Sequence, residues 1–476
     1  MRAVRPLSRR KFLKTGLALG AASLLGRCGG SGSRGRARHV VLITLDTARR
    51  DHFGFYGNPW IRTPFLDALA RESIVFEDHR TPVTTTLASH SSIFTGRYPH
   101  NHGAPRNGFL LNKANVTLTR VLKGAGFSTA AFIGSFVLDK RFGLAGDFDV
   151  YDQDFKTYAG DAGNTLIERK GQAVTRSVAA FLKDKGVPPN LFLFAHYWDP
   201  HMPYNPQPPH RGLYQNREMS HFSEPLRPAR QNSPGALERA ARQRRRYAEE
   251  ISGMDASLGQ LFDLLAANRI LDEAIVVVTS DHGEHLYDAP GGMPYSHGWT
   301  VYEPETLAVC LVRLPRGQGG GTRVKTPTSH IDLFPTLLNY LHLPLPRAVD
   351  GVALELPGPP ASSGSRTLFC EATKPGEGVE TDRRWYNLRK PRAALRDGKK
   401  FIQTLYQGTE ELYDLGSDPG ERDNLLLHPR PEDTAAAQEL RAALNAWAAS
   451  ARPLPTNFEK SERRDTIMKL KALGYL

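Results

Sequence analysis

The chain has 476 residues, 40% of them hydrophobic, which is enough for one large α/β domain with a smaller one beside it. Its net charge of +13 suggests nucleic acid at first sight, but residues 1–28 hold seven Lys/Arg and no acid, so +6 is left for the rest. Part of that remainder is Arg242-Gln243-Arg244-Arg245-Arg246, which reads as a solvated helix face, so no nucleic acid partner is expected; a basic wall for an anionic substrate is the other reading. Three cysteines, Cys28, Cys310 and Cys370, exclude a disulfide framework, and Cys310 and Cys370 are read either as one bridge or as two buried thiols.

In chain order, the first element is a targeting segment over 1–28. Ser8-Arg9-Arg10-Lys11-Phe12-Leu13-Lys14 precedes an apolar stretch from Thr15 to Leu25, too short to span a bilayer. The paired arginines resemble the twin-arginine signal, which exports folded proteins. Leu25-Gly26-Arg27-Cys28 is similar to a lipoprotein cleavage box with an unfavourable Arg27, so a membrane tether through Cys28 stays open. Residues 29–38 read as a flexible tether.

From there strands and helices alternate. Strands are expected at Val40–Leu45, Ser73–Phe76, Ser128–Ile133, Leu191–His196, before Asp281, and at Thr306–Leu311. Helices are expected at Pro64–Glu72 with Thr63 as N-cap, after Leu87, at Thr117–Gly126, Lys170–Lys183, Ala236–Ala267 and Ile331–Leu341. This alternation predicts an α/β fold: a large, mostly parallel sheet over 39–350 with helices on both faces. A proline-rich linker follows. Short strands at Ala393–Arg396, Lys400–Leu405 and Glu411–Tyr413 and a helix at Ala435–Ser450 predict a small antiparallel subdomain over 365–452, with a tail over 453–476.

Two strands carry chemistry at their C-terminal ends, where open α/β sheets bind ligands. Val40–Leu45 ends in Asp46, and Ala274–Ser280 runs into Asp281-His282-Gly283-Glu284. Two carboxylates and an imidazole suit a divalent metal and do not choose among Ca²⁺, Mn²⁺, Mg²⁺ and Zn²⁺. The hydroxyl-rich run Thr84-Thr85-Thr86 then opens a helix, whose N-terminus favours anions and can activate a nucleophile.

At this point the chain resembles the sulfatase family of the alkaline phosphatase-like superfamily, over nearly everything after the tether. The residues that carry the resemblance are Leu45-Asp46-Thr47 with Asp51 to Gly57, the Thr86–Arg97 segment, Thr279 to Glu284, His297-Gly298 with Tyr302-Glu303, His330 to Thr336, and Glu411 to Leu415 with Asp418 to Glu421. The resemblance implies an exported, periplasmic or cell-envelope, metal-dependent hydrolase of an anionic ester, with a glycan ester among the candidate substrates and Ca²⁺ as the family's ion. It places the nucleophile at Thr86 and the metal on Asp46, Asp281, His282 and Thr86. Arg97 and His90 become candidates for the cation facing the ester's equatorial oxygens, with His90 also read as a hydrogen-bonding helix residue. His201 falls on the family's loop histidine, a candidate to protonate the leaving group. His297 falls near a position where sulfatases often carry lysine, and could contact substrate or a second metal.

The chain departs from the well-known sulfatases at the nucleophile. They carry a cysteine that becomes formylglycine; here Thr86, Ala88 and His90 occupy the motif and no cysteine is near. A formylglycine hydrate expels sulfate by collapsing to an aldehyde, whereas a threonine ester needs water to attack it. The expectation is therefore formylglycine-independent sulfate or phosphate ester hydrolysis, with two rivals: a threonine-nucleophile phosphodiesterase, phosphatase or phospho-group transferase, and an inactive glycan-binding homologue.

Overall fold

A computed structural model describes residues 37–155, 157–159, 165–216, 234–288, 294–357, 366–374, 390–455, 466 and 468–470; the targeting segment and Cys28 lie outside them. The large sheet is built from β1 (His39–Leu45), β2 (Ile74–Phe76), β3 (Ser128–Phe132), β4 (Val150–Asp152), β5 (Leu191–Tyr197), β6 (Ala274–Ser280), β7 (Cys310–Arg313) and β8 (Arg323–Val324). Its spatial order is β8-β2-β7-β6-β1-β5-β3-β4. β1 pairs in parallel with both β5 and β6, and β3 with β5 and β4, while β7 runs antiparallel to β6. The expected mostly parallel sheet is present.

All seven residues of β1, β5 and β6 are buried, as strands covered on both faces must be. The two-residue period then divides β1 between two cores. Val41, Ile43 and Leu45 meet helices α1 (Pro64–Arg71), α4 (Gly171–Lys185) and α5 (Pro234–Ala267) through Leu66, Val178 and Ile251. Val40 and Leu42 join the core of α2 (Thr86–Thr95), α3 (Leu118–Gly124) and α6 (Leu333–Tyr340) through Phe94, Leu122 and Leu337. Each such side chain contributes about 1.5–3 kcal/mol by leaving water.

Four antiparallel strands, β9 (Leu368–Glu371), β10 (Pro391–Arg396), β11 (Lys399–Thr404) and β12 (Thr409–Asp414), form the expected small sheet. The β10–β11 turn places Asp397 and Gly398 at positive φ, 53° and 75°, the conformation that tight hairpins demand. Helix α7 (Pro431–Ala449) covers this sheet through Leu440, Leu444 and Trp447. Both sheets belong to one compact unit, Arg36–Leu476. The small sheet also reaches the segment that leads into α2: Glu371 bridges Val83 and donates its N–H to Pro82 O at 3.0 Å.

One expectation changes. Arg244 is not a surface residue: it is 1% exposed, donates to Leu286 O at 2.6 Å and lies 3.7 Å from Asp288, because it falls on the inner face of α5. Within the expected tail over 453–476, Leu454 N–H bonds Asn101 O and Leu470 is buried in the α2–α3 core. Of the two cysteine readings, the thiols are the one observed: Cys310 and Cys370 are free and buried, in different sheets.

Candidate active site

Three neighbouring strands end at one level. Leu45 is in register with Tyr197 of β5 on one side and Ser280 of β6 on the other, so the residues that follow converge. Thr47 turns the chain away with φ 55°, an unfavourable conformation for a β-branched residue that costs about 1–3 kcal/mol. Two bonds hold it there: its N–H donates to Asp281 Oδ1 at 3.0 Å, and the Tyr247 hydroxyl donates to its carbonyl at 2.6 Å. After β6, Gly283 lets the chain pass the Pro304 carbonyl, since a Cβ there would lie 1.9 Å from that oxygen.

The result is a fully buried set, Asp46, Asp281 and His282, whose candidate ligand atoms all lie within 4.8 Å of one another. It is the group of this kind found among the described residues. Its chemistry fits a divalent cation on three counts. Asp46 Oδ1 and Asp281 Oδ2 are buried without hydrogen-bond partners. The His282 Nδ1–H donates to Gly283 O at 2.9 Å, which turns the lone pair of Nε2 towards Asp281 Oδ2 at 3.4 Å, a repulsive arrangement that a cation resolves. Burial and the negative charges of Asp281, Glu284 and Glu168 push the Asp46 carboxyl well above its usual range, and a bound cation would reverse that.

Second contacts orient this set. Gly134 N–H donates to His196 Nδ1 at 3.3 Å, so His196 Nε2–H is the donor to Asp46 Oδ2 at 3.2 Å. Ser89 Oγ donates to the Asp281 carbonyl at 2.7 Å and meets His330 Nδ1 at 3.1 Å.

Thr86 opens α2 beside the set, its Oγ1 3.5 Å from His282 Nε2. The N-cap residue, Thr85, makes no side-chain cap, and its Oγ1 is buried without a partner. Instead Asn107, 2% exposed, accepts the Leu87 N–H at 2.8 Å and leaves its Nδ2 buried and unpartnered beside the helix start. A helix N-terminus with an unused amide donor is a place for an anion. The sequence singles out neither Asn107, a loop residue without periodicity, nor His196, which lies inside a buried strand and reads there as one more core position.

The other candidates separate. His90 lies one turn below Thr86, fully buried and held neutral by burial. Its Nδ1–H donates to Thr86 O at 2.7 Å and its Nε2 accepts from Thr44 at 2.8 Å, with Asp281 Oδ2 3.8 Å away. It positions the helix start and does not offer a cation to substrate. Arg97 is beyond the opposite end of α2, after Gly96 at φ 65°, and donates to Asn115 at 2.9 Å. Ten residues of helix put it about 15 Å from Thr86, so the structure does not bring it to the site.

His201 and His297 do reach the site. Their ring centres are 5.2 Å apart, and His297 is 4.3 Å from His282. His201 stacks on Trp198 at 3.7 Å and donates Nδ1–H to Met202 O at 2.6 Å, so any proton it passes is at Nε2. Burial lowers its pKa to about 3. His297 Nδ1 meets Glu284 Oε1 at 3.1 Å, and Glu284 also accepts from the Tyr204 hydroxyl at 3.2 Å. A buried carboxylate behind an imidazole fixes its tautomer and orientation.

The sulfatase family model matches residues 38–343. The chain belongs to the sulfatase family. Residues 6–26 match the signal sequence of the twin-arginine translocation pathway, which identifies an exported protein. Among curated proteins the family chain is 24% identical over 429 residues to an ulvan-active sulfatase of Formosa agariphila, covering 86% of this chain and 80% of the relative. It is also 24% identical over 398 residues to the multifunctional alkaline phosphatase superfamily protein PehA of Trinickia caryophylli, with 67% and 76% covered. Its fold is similar to that of the phosphonate monoester hydrolase from Silicibacter pomeroyi, with TM-score 0.70 and 20% identity over 87% of this chain and 96% of that one. No described helix is long and apolar enough to cross a membrane.

Proposed function

We propose that this chain is a periplasmic, metal-dependent hydrolase of sulfate or phosphate esters that uses Thr86 as its nucleophile in place of formylglycine. The observation that carries the reading is the Thr86 hydroxyl at the open start of α2, 3.5 Å from His282 Nε2 and beside the unpartnered buried oxygens of Asp46 and Asp281. Asp46, Asp281 and His282 would hold the ion, with Thr86 Oγ1 as a further ligand. Bound there, the ion supplies positive charge that favours the ionised hydroxyl and polarises the ester. Oxygen donors with one imidazole nitrogen accommodate Ca²⁺, Mn²⁺, Mg²⁺ or Zn²⁺.

Thr86 Oγ1 attacks phosphorus or sulfur in line, and the bond to the leaving oxygen breaks. The Asn107 Nδ2 amide and the positive end of the α2 dipole stabilise charge on the non-bridging oxygens. Burial keeps His297 and His201 neutral, so an unprotonated Nε2 takes the proton that Thr86 Oγ1 loses and passes it to the leaving oxygen, with His297 oriented by Glu284. Water then attacks the ester of Thr86, and the hydroxyl is restored. A threonine ester lacks the aldehyde exit, so this second step favours phosphate over sulfate on chemical grounds; family membership supports sulfate. An anionic glycan ester is the substrate class that the ulvan-active relative suggests.

The test is turnover by metal-replete residues 36–476 on aryl sulfate, aryl phosphate and aryl phosphodiester, with Thr86→Ala as control. Turnover that disappears in the variant is expected on at least one ester. Full activity in Thr86→Ala would sink the nucleophile assignment, and silence on all three would favour a binding protein.

A further inference from the structure

The basic run on α5 has no part in the site described above. From Glu238 to Ala248 the helix carries five arginines and one acid. Burial fixes how it is turned: Ala240, Arg244, Tyr247, Ala248 and Ile251, each at most 1% exposed, face inward. At about 3.6 residues per turn the opposite arc holds Arg239, Arg242, Arg245 and Arg246, neighbours at three- and four-residue spacing. Arg239, Arg242 and Arg246 are exposed and Arg245 is half-buried. Among the described residues none of the four makes a hydrogen bond or an ion pair, whereas the inward Arg244 is held by Leu286 O and Asp288. The stripe is bounded. Further along the same face Glu249 Oε1 accepts the Tyr214 N–H at 3.2 Å and His210 lies against Gly253, so a loop covers the helix there.

Hydrogen bonds place the stripe beside the site. The Tyr247 hydroxyl donates to Thr47 O and accepts the Arg49 N–H at 2.8 Å, so α5 passes the tip of β1 at Tyr247. Arg244 is tied to the chain two residues beyond Glu284. From Tyr247 onward the helix packs along the sheet towards the start of β6. From Tyr247 back to Arg239 it therefore rises about 12 Å past the strand tips, on the side that carries Asp46 and Asp281.

The chemistry of the stripe selects its partner. Guanidinium groups meet sulfate, phosphate and carboxylate through paired hydrogen bonds, and a row of them along about 10 Å of helix suits an anion repeated along a chain. A lipid surface is the poorer match. Among the described residues of α5 no large apolar side chain is exposed, because its apolar face packs in the core, and a helix lying in a lipid interface needs one to insert. Nucleic acid is the poorer match for an exported protein. We propose that Arg239, Arg242, Arg245 and Arg246 form a docking surface for a linear anionic polysaccharide, held beside the site while one of its ester groups lies at Thr86. The surface binds and takes no part in bond breaking. The proposal rests on the ester-hydrolase reading above, but its binding test needs no turnover, so the two fail separately.

The probe is labelled dextran sulfate, with uncharged dextran, a DNA duplex and phosphatidylglycerol vesicles beside it. Fluorescence anisotropy compares the metal-replete wild type with two variants, all four arginines changed to Gln and all four changed to Lys, each checked for folding by its melting curve. Dextran sulfate should bind the wild type and weaken about tenfold or more between about 50 and 150 mM salt, as displaced counterions require. The Gln variant should lose at least about tenfold in affinity, and the Lys variant less, because lysine keeps the charge without the paired bonds. Turnover of 4-nitrophenyl esters, which carry a single anionic group, should stay within about twofold in both variants. Dextran sulfate should inhibit that turnover in the wild type and much less in the Gln variant. A folded Gln variant that binds dextran sulfate as the wild type does would overturn the proposal. So would a stripe-dependent preference for the duplex or the vesicles, which would assign the surface to nucleic acid or lipid, and so would binding without inhibition, which would detach the surface from the site. Absence of all turnover would count against the hydrolase reading alone, with the surface still decided by binding.

Discussion

Replacing Asp46 by Asn should have opposite effects on stability with and without metal. In the metal-free protein Asp46 and Asp281 present buried, unpartnered oxygens within 4.8 Å of one another. Two like charges at that separation repel by about 3 kcal/mol at an effective dielectric of about 20. Proton uptake at Asp46 relieves part of this, and an asparagine oxygen accepts a weaker bond from His196 than a carboxylate does, by about 1 kcal/mol. Asp46→Asn should therefore stabilise the metal-free protein by about 1–2 kcal/mol. With metal at about a thousand times its Kd the wild type gains about 4 kcal/mol, most of which the variant forgoes. In a chain this long each kcal/mol moves Tm by about 1–2 °C, so the order of the two melting curves should invert between chelator and saturating metal. Calorimetry of residues 36–476 with chelator and then with Ca²⁺, Mn²⁺, Mg²⁺ and Zn²⁺ in turn measures both states. A variant less stable than wild type in chelator, with an undiminished response to metal, would refute the argument: Asp46 would then be held by the protein and not by an ion.

Other substitutions separate the remaining roles. Glu284→Gln should lower kcat about ten- to hundredfold on alkyl esters and much less on 4-nitrophenyl esters, whose leaving group needs no proton; equal losses would deny that Glu284 acts through His297. Glu168 has its pKa raised to about 8, mainly by burial and also by Glu250 and Asp199. Its contribution is fully present below the usual glutamate range near 4.5 and is lost as pH rises through about 8. Glu168→Gln should accordingly be more stable than wild type at pH 9 by about 2–4 kcal/mol, with the gap closing by pH 5, as read from melting curves across that range. Arg97→Ala should leave kcat/KM within about twofold and cost under about 1 kcal/mol, since its partner Asn115 is at the far end of α2; a hundredfold loss in the turnover assay would return Arg97 to the site.

The candidate metal set could be read from sequence because Asp46, Asp281 and His282 sit at the tips of unbroken apolar runs, and buried parallel strands announce their ends. Register does the rest, since β5, β1 and β6 are in line. Helix phase was the weaker guide. Thr86 and His90 are four residues apart and share a face, but the same face that brings His90 close also buries it between two strands. Arg97 follows the same motif and is a whole helix away. Asn107 reaches the site through a loop crossing, which no local pattern encodes. Arg244 lies in a charged run that composition assigns to solvent, and only the packing of α5 on the sheet shows which of its turns faces inward.

The bridge from Glu371 to Val83 has a consequence for when the protein can become competent. The loop that carries Thr86 emerges early from the ribosome, but the strand that braces it is almost three hundred residues later. Until the small sheet has been synthesised and docked, the nucleophile loop lacks its last support. A twin-arginine signal passes folded cargo, so this docking is finished on the cytoplasmic side. An ion held by the proposed Asp46–Asp281 site would then be taken from the cytoplasm's supply, and the compartment to which the protein is exported would inherit that choice.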